Sequence, residues 1–114
     1  MFADVKIGEK VIPMLSNAAT AIYYKQIFHE DLLVLMNRAL KDGENPADGI
    51  SEITPKLAYI MAIQAEKSRI KEKNFDTFLE WLEQFEAMEI EMSAAQILNT
   101  YTANKKGSSK PKNA

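Results

Sequence analysis

The chain has 114 residues, with 16 acidic and 14 basic side chains, one histidine and no cysteine, which bounds it to a single domain able to bury a core without disulfides. The missing cysteine excludes thiol catalysis, thiolate-held clusters and zinc ribbons, and a lone histidine leaves little room for a histidine metal site or a Ser-His-Asp triad. A net charge of −2 argues against a general nucleic-acid binder.

Residues 2–14 open with alternation, Phe2, Asp4 and Lys6 against Ala3, Val5 and Ile7, then Gly8-Glu9-Lys10 and a second apolar run. Two short apolar runs about a glycine turn predict a β-hairpin. Pro13 has no N–H for a ladder, so the second strand must be an edge or end there. The opening residues lack a basic segment followed by an apolar one, so they do not read as a signal peptide.

The remainder reads as helical. Ser16 or Asn17 is a suitable cap for a helix carrying Ala19, Ile22, Tyr23 and Ile27. Around His29 the pattern breaks, and Leu32, Leu35, Met36, Ala39 and Leu40 form a new stripe with Asp31 near its positive end. Glycine, proline and asparagine mark 42–49 as a loop. Thr54-Pro55 predicts the next helix start, with Leu57, Ala58, Met61 and Ala65 buried and Tyr59 and Ile60 at the margins. Within it, 57–63 is the longest apolar run, far short of the roughly 20 residues a membrane span needs. Asn74 caps a helix whose Phe75, Phe78, Leu82 and Phe85 share a face with Trp81 beside it, and Ser93 with Gln96 fits a capping box for a last helix. The expected fold is α+β and mostly α: an N-terminal β-hairpin followed by a compact bundle of about five short helices.

Charge divides the chain. Lys105, Lys106, Lys110 and Lys112 fall in the last ten residues, which hold no acid. Without them, 10 basic face 16 acidic residues, a net of −6. The expected organisation is therefore one acidic domain over 1–104 and a flexible basic tail over 105–114.

No constellation announces chemistry. Glu80, Glu83, Glu86, Glu89 and Glu91 run without an intervening base, which suits a solvated face or a surface for a basic partner. The acidic 42–49 segment does not match the spacing of a calcium loop. His29, the one side chain suited to proton transfer near neutral pH, reads as a junction residue, because histidine tolerates positive φ. Trp81 and the Tyr23-Tyr24 pair offer more ring surface than a small domain buries easily, so they are either core or a protein-contact patch. No phosphate loop, metal motif or nucleophile elbow is present. The residues describe a binding protein that is not an enzyme and uses no cofactor or metal.

The stretch Ala18-Ala19-Thr20-Ala21-Ile22-Tyr23-Tyr24-Lys25-Gln26-Ile27-Phe28-His29-Glu30-Asp31-Leu32-Leu33 resembles the tail assembly chaperones of long, non-contractile-tailed phages and prophages of Gram-positive bacteria. The opening hairpin, the stretch Lys56-Leu57-Ala58-Tyr59-Ile60-Met61-Ala62-Ile63-Gln64-Ala65, and Phe75-Asp76-Thr77-Phe78-Leu79-Glu80-Trp81-Leu82 followed by Ala94-Ala95-Gln96-Ile97-Leu98-Asn99 are similar to that family in the same order, over roughly 2–104. The resemblance implies a chaperone in the cytoplasm of the bacterial host, absent from the mature virion. It would bind the tape measure protein, keep it soluble and recruit tail tube subunits. It also implies a longer product made by ribosomal frameshifting, for which Asn104-Lys105-Lys106-Gly107 would suit an A-rich slippery run. Coating one long client with many copies implies a homo-oligomer, with no nucleic acid or membrane as partner. Tyr23, Tyr24 and Trp81 are the expected contact residues. The alternative is a small helical DNA-binding phage regulator, whose basic recognition segment would be the end of the helix after Thr54.

Overall fold

Hydrophobic alternation and helical periodicity settle the order of elements. The computed structural model describes the backbone of residues 1–42 and 46–109, and the side chains of 1–38 and 52–102. Strands β1 (Phe2–Ile7) and β2 (Lys10–Leu15) are followed by helices α1 (Thr20–Phe28), α2 (Leu32–Asp42) and α3 (Pro46–Ala65). After a 3-10 turn (Ile70–Glu72) come α4 (Phe75–Leu82), α5 (Glu89–Met92) and α6 (Ala94–Ser109). The fold is α+β and mostly helical, a hairpin followed by six helices among the described residues. The short α5 is the one that periodicity does not reveal, since four residues make barely one turn.

The hairpin is antiparallel, with Val5 opposite Ile12 and Ile7 opposite Lys10. Gly8 has φ 63°, the conformation that a two-residue connection starting with glycine demands. The Glu89 carboxylate lies against Gly8, where a β-carbon would collide with it. The Ser16 N–H donates to the Met1 carbonyl at 2.8 Å, and the Met1 amino group donates back to Ser16. Because hydrogen-bonded and non-bonded pairs alternate along such a ladder, the pair Asp4–Pro13 is a non-bonded one. The missing N–H of Pro13 therefore costs no ladder bond, and the strand runs through it to Leu15.

Helix α3 is the centre of the molecule. The hairpin, α1, α2, α4, α5 and α6 all pack on it, and Leu57, Ala58, Tyr59, Ile60, Met61, Ala62 and Ile63 are all buried. Tyr59 and Ile60 are thus core rather than marginal, and Ala65 is only half-buried. A helix apolar on every side has to be enclosed. The start expected at Thr54-Pro55 is corrected: α3 begins at Pro46, and Pro55 lies inside it. Proline removes one helical hydrogen bond there, a loss that the burial of the following two turns outweighs. Of the expected 42–49 loop, 43–45 lie outside the described residues, and from Pro46 the backbone is helical. At the other end Lys67 takes φ 58°, and Ser68 N–H reaches the Ile63 carbonyl at 3.0 Å, a Schellman closure with lysine where glycine is usual.

Side-chain hydrogen bonds pin the outer elements. Asn74 and Thr77 form a reciprocal capping box on α4. The box expected at Ser93 and Gln96 does not form; the Ser93 hydroxyl donates instead to the Lys6 carbonyl of β1 at 2.9 Å. Buried Ser16 donates to the Thr100 carbonyl at 3.0 Å, fastening α6. The backbone of α6 stays helical to Ser109, past the boundary expected at 104. Residues 110–114 of the expected tail lie outside the described residues.

Candidate interaction surface

Helices α1 and α2 meet at a joint of three residues. His29 closes α1 in the left-handed region, φ 59° and ψ 32°, and its N–H donates to the Lys25 carbonyl at 2.8 Å. Asp31 caps α2, its Oδ1 accepting the Val34 N–H at 3.1 Å. Between them Glu30 pairs with Lys56 of α3 at 3.1 Å, and the Lys56 ammonium stands 5.4 Å from the centre of the Phe28 ring. His29 is thus a turn residue, exposed and placed by its backbone.

This joint sends one face of each helix inward. Thr20, Tyr24, Ile27 and Phe28 of α1 and Leu32 and Met36 of α2 are buried. The opposite faces leave Ile22 65 % exposed, Leu33 60 % and Val34 49 %. Ala21, Ile22, Lys25, Gln26, Asp31 and Leu33 line a groove of about 470 Å³ between the two helices. Its lining combines apolar Ala21, Ile22 and Leu33 with Gln26 and the opposite charges of Lys25 and Asp31. A surface of this kind suits the apolar stripe of an amphipathic helix.

The residues singled out from sequence do not form one surface. Tyr24 is fully buried, its ring edge-on to Phe28 at 5.2 Å, so the expectation that it contacts a partner is corrected. An alternating strand would have turned one tyrosine of the pair outward, but α1 buries Tyr24 and leaves Tyr23 half-covered. Among the described residues the Tyr24 hydroxyl has no hydrogen-bond partner of acceptable geometry. Burial, and then the charges of Glu30 and Glu52, push its pKa well above the usual tyrosine range. Tyr23 lines a separate pocket of about 240 Å³ beside Leu15, Ile63 and Lys67. Trp81 is half-buried in a series of aromatic rings, 5.5 Å from Tyr59 and 5.1 Å from Phe85. Tyr59 in turn meets Phe78 and exchanges a 2.7 Å hydrogen bond with Thr77. Ring-to-ring packing accounts for most of Trp81.

Sequence reasoning passes over Leu33 and Val34, and it counts Ile22 with the apolar stripe of α1, where the structure leaves it exposed. The available signal was the unbroken run 32–36, because five consecutive helical residues cannot all face one core.

The acidic run is partly structural. Glu89 Oε1 accepts the Glu86 N–H at 3.0 Å, while Glu80, Glu83 and Glu86 are exposed. Among the described residues no group of three or more potential metal ligands converges, and no helix is long and apolar enough to cross a membrane. The bases Lys67, Arg69, Lys71 and Lys73 lie in the connection after α3 rather than on it. α3 itself is enclosed over 57–63 and has no free face there to enter a DNA groove.

Comparison of the chain with protein-family models, curated proteins and solved structures gives no match.

Proposed function

We propose that this protein is a tail assembly chaperone of the kind made by long, non-contractile-tailed phages. In this reading it acts in the cytoplasm of the bacterial host and binds the tape measure protein. It keeps that long helical client soluble, recruits tail tube subunits and is left out of the finished virion. The observation that carries the reading is the α1–α2 groove, whose open apolar residues Ile22 and Leu33 sit within a stretch that resembles that family. An amphipathic client helix laid there would cover its apolar stripe with theirs, and Lys25 and Asp31 would meet its flanking charges. Many copies along one client would keep the whole stripe from aggregating.

The test is co-expression with helical segments of a tape measure protein, scored by the soluble fraction of the segment. Ile22→Lys combined with Leu33→Lys should abolish the rescue while leaving this protein folded, since both positions are exposed. Full rescue by the double variant would sink the groove as the client site. A salt-titrated mobility shift with duplex DNA should show no retardation at physiological ionic strength, and a specific shift would favour the regulator instead.

A further inference from the structure

We infer, resting on the client-binding reading of the α1–α2 groove, that the helix it takes carries a run of acidic residues beside its apolar stripe. The bases of the connection between α3 and α4 bind that run.

The backbone of the connection sets those bases outward. Lys67 turns the chain out of α3 in the left-handed region, and the 3-10 turn that follows packs Ile70, half-buried, against the core. Its neighbours Arg69 and Lys71 are both exposed. Together with Gln26 and Ile70 they line a hollow of about 640 Å³ between α1 and the connection. Gln26 also lines the α1–α2 groove, so the two depressions share one wall. A helix of about 20 residues is about 30 Å long, against about 10 Å for the width of the helix it has to cross. Seated on Ile22 and Leu33 and passing over Gln26, it meets Arg69 and Lys71.

Charge selects the segment. Residues 1–104 hold 16 acidic and 10 basic residues, yet Lys67, Arg69, Lys71 and Lys73 fall within one short connection. Lys25 adds a further base from the groove wall. The fold leaves these charges almost unused. Among the described residues only Arg69 has an ion-pair partner, Glu72 at 3.7 Å, with both side chains mostly exposed, where such a pair is worth little. Asp31, the one acid lining the groove, caps α2 on the opposite side. Charge therefore runs from negative at α2 to positive beyond α1, and a complementary helix lays its acids on the connection side. A phosphate backbone would leave Ile22 and Leu33 uncovered, and the acidic remainder of the domain would repel it.

Fluorescence anisotropy of labelled synthetic helices, each about 20 residues long with one leucine stripe, tests this on the full chain. One set carries glutamates at one terminus or the other, and the control set has glutamines in their place. At least one glutamate-ended peptide should bind about tenfold tighter than its control at low salt, and the advantage should fade as salt rises to about 0.5 M. Arg69→Gln combined with Lys71→Gln should remove the advantage and leave the affinity for the control unchanged. Ile22→Ser combined with Leu33→Ser, which adds no charge, should weaken both. Equal affinities for the two sets, lost together in Ile22→Ser with Leu33→Ser, would overturn the inference and leave the groove as the client site. A glutamate preference that outlasts the loss of Arg69 and Lys71 would overturn it too. Binding of neither set, or glutamate-dependent binding indifferent to Ile22 and Leu33, would overturn the groove along with it. Tighter binding of a single-stranded oligonucleotide than of either glutamate peptide would assign the bases to nucleic acid instead.

Discussion

The two longest apolar runs, 32–36 in α2 and 57–63 in α3, look alike on paper and end differently. Every residue of the α3 run is buried, whereas the α2 run buries Leu32 and Met36, half-covers Leu35 and leaves Leu33 and Val34 open. The cause is position. Six elements surround α3, while α2 packs on α3 and α1. Five consecutive helical residues circle the axis, so a peripheral helix with such a run must show part of it to solvent. An apolar run thus measures how much surface needs cover, and topology decides how much of that cover the chain provides. The uncovered remainder is where a partner is expected.

The contrast is testable by truncation. Leu57→Ala should cost about 2–5 kcal/mol in urea unfolding, because it opens a cavity in a fully enclosed site. Leu33→Ala should stay within about 0.5 kcal/mol, as exposed substitutions do. Equal losses would erase the distinction between the two helices.

A smaller effect is expected at the seam where α1 meets α3. Thr20 is buried, its Oγ1 donating to Gln64 at 2.7 Å and accepting the Asn17 N–H at 2.9 Å. Gln64 also donates to Asn17 at 3.0 Å. Thr20→Val keeps the shape and strands these partners, for a loss of about 1–2 kcal/mol. Gln64→Ala should cost less, because Gln64 is half-buried and water can replace it. A double-mutant cycle would measure the coupling; additive losses would mean that the seam is held by packing alone.

Tyr24 sharpens the comparison from the polar side, as a hydroxyl kept in surroundings as dry as those of α3. Tyr24→Phe removes a buried hydroxyl that has no partner among the described residues and should stabilise the fold by up to about 1 kcal/mol at neutral pH. The sign of the pH effect follows from the raised pKa. Below the unfolded-state value of 10.0 both states hold the proton and nothing changes. Above it the unfolded chain ionises while the folded one does not, so stability falls as pH rises, by at most about 1.4 kcal/mol per pH unit for one proton. Tyr59 and Tyr101 are raised by burial as well, so the Tyr24 share is the difference between wild-type and Tyr24→Phe unfolding curves above pH 10. Identical slopes would show Tyr24 to be ionising freely in the folded state.

The hairpin, the helix order and the Asn74 cap were legible in the sequence, because alternation, the glycine turn and the cap residues act over a few positions. The start of α3 was not. Thr54-Pro55 has the local signature of a helix start, and only the enclosure of 57–63 makes a proline inside the helix tolerable. Ser93 likewise matches a local cap and is drawn off by the Lys6 carbonyl, 87 residues away in sequence. Tyr24 and Trp81 were legible as surplus aromatic surface; the Phe28 ring that meets Tyr24 lies one turn on in the same helix, whereas Tyr59, which meets Trp81, comes from α3. The groove residues were hidden for the converse reason: no local pattern tells which side of α2 lacks a neighbour.

That side is fixed by the joint before it, and the smallest expected effect lies there. His29 holds a left-handed backbone conformation that costs a residue with a β-carbon about 1 kcal/mol. Its N–H bond to Lys25 is made by the backbone and survives any substitution except proline. His29→Gly relieves the strain but adds freedom to the unfolded chain, so the net gain in thermal or urea unfolding should be about 0.5 kcal/mol, with His29→Ala slightly destabilising. Neither change alters the angle at which α2 leaves α1, so Leu33 and Val34 should stay open and client rescue unchanged. If His29→Gly kept its stability and lost rescue, the rigidity of the joint, rather than the apolar surface it presents, would be what the groove depends on.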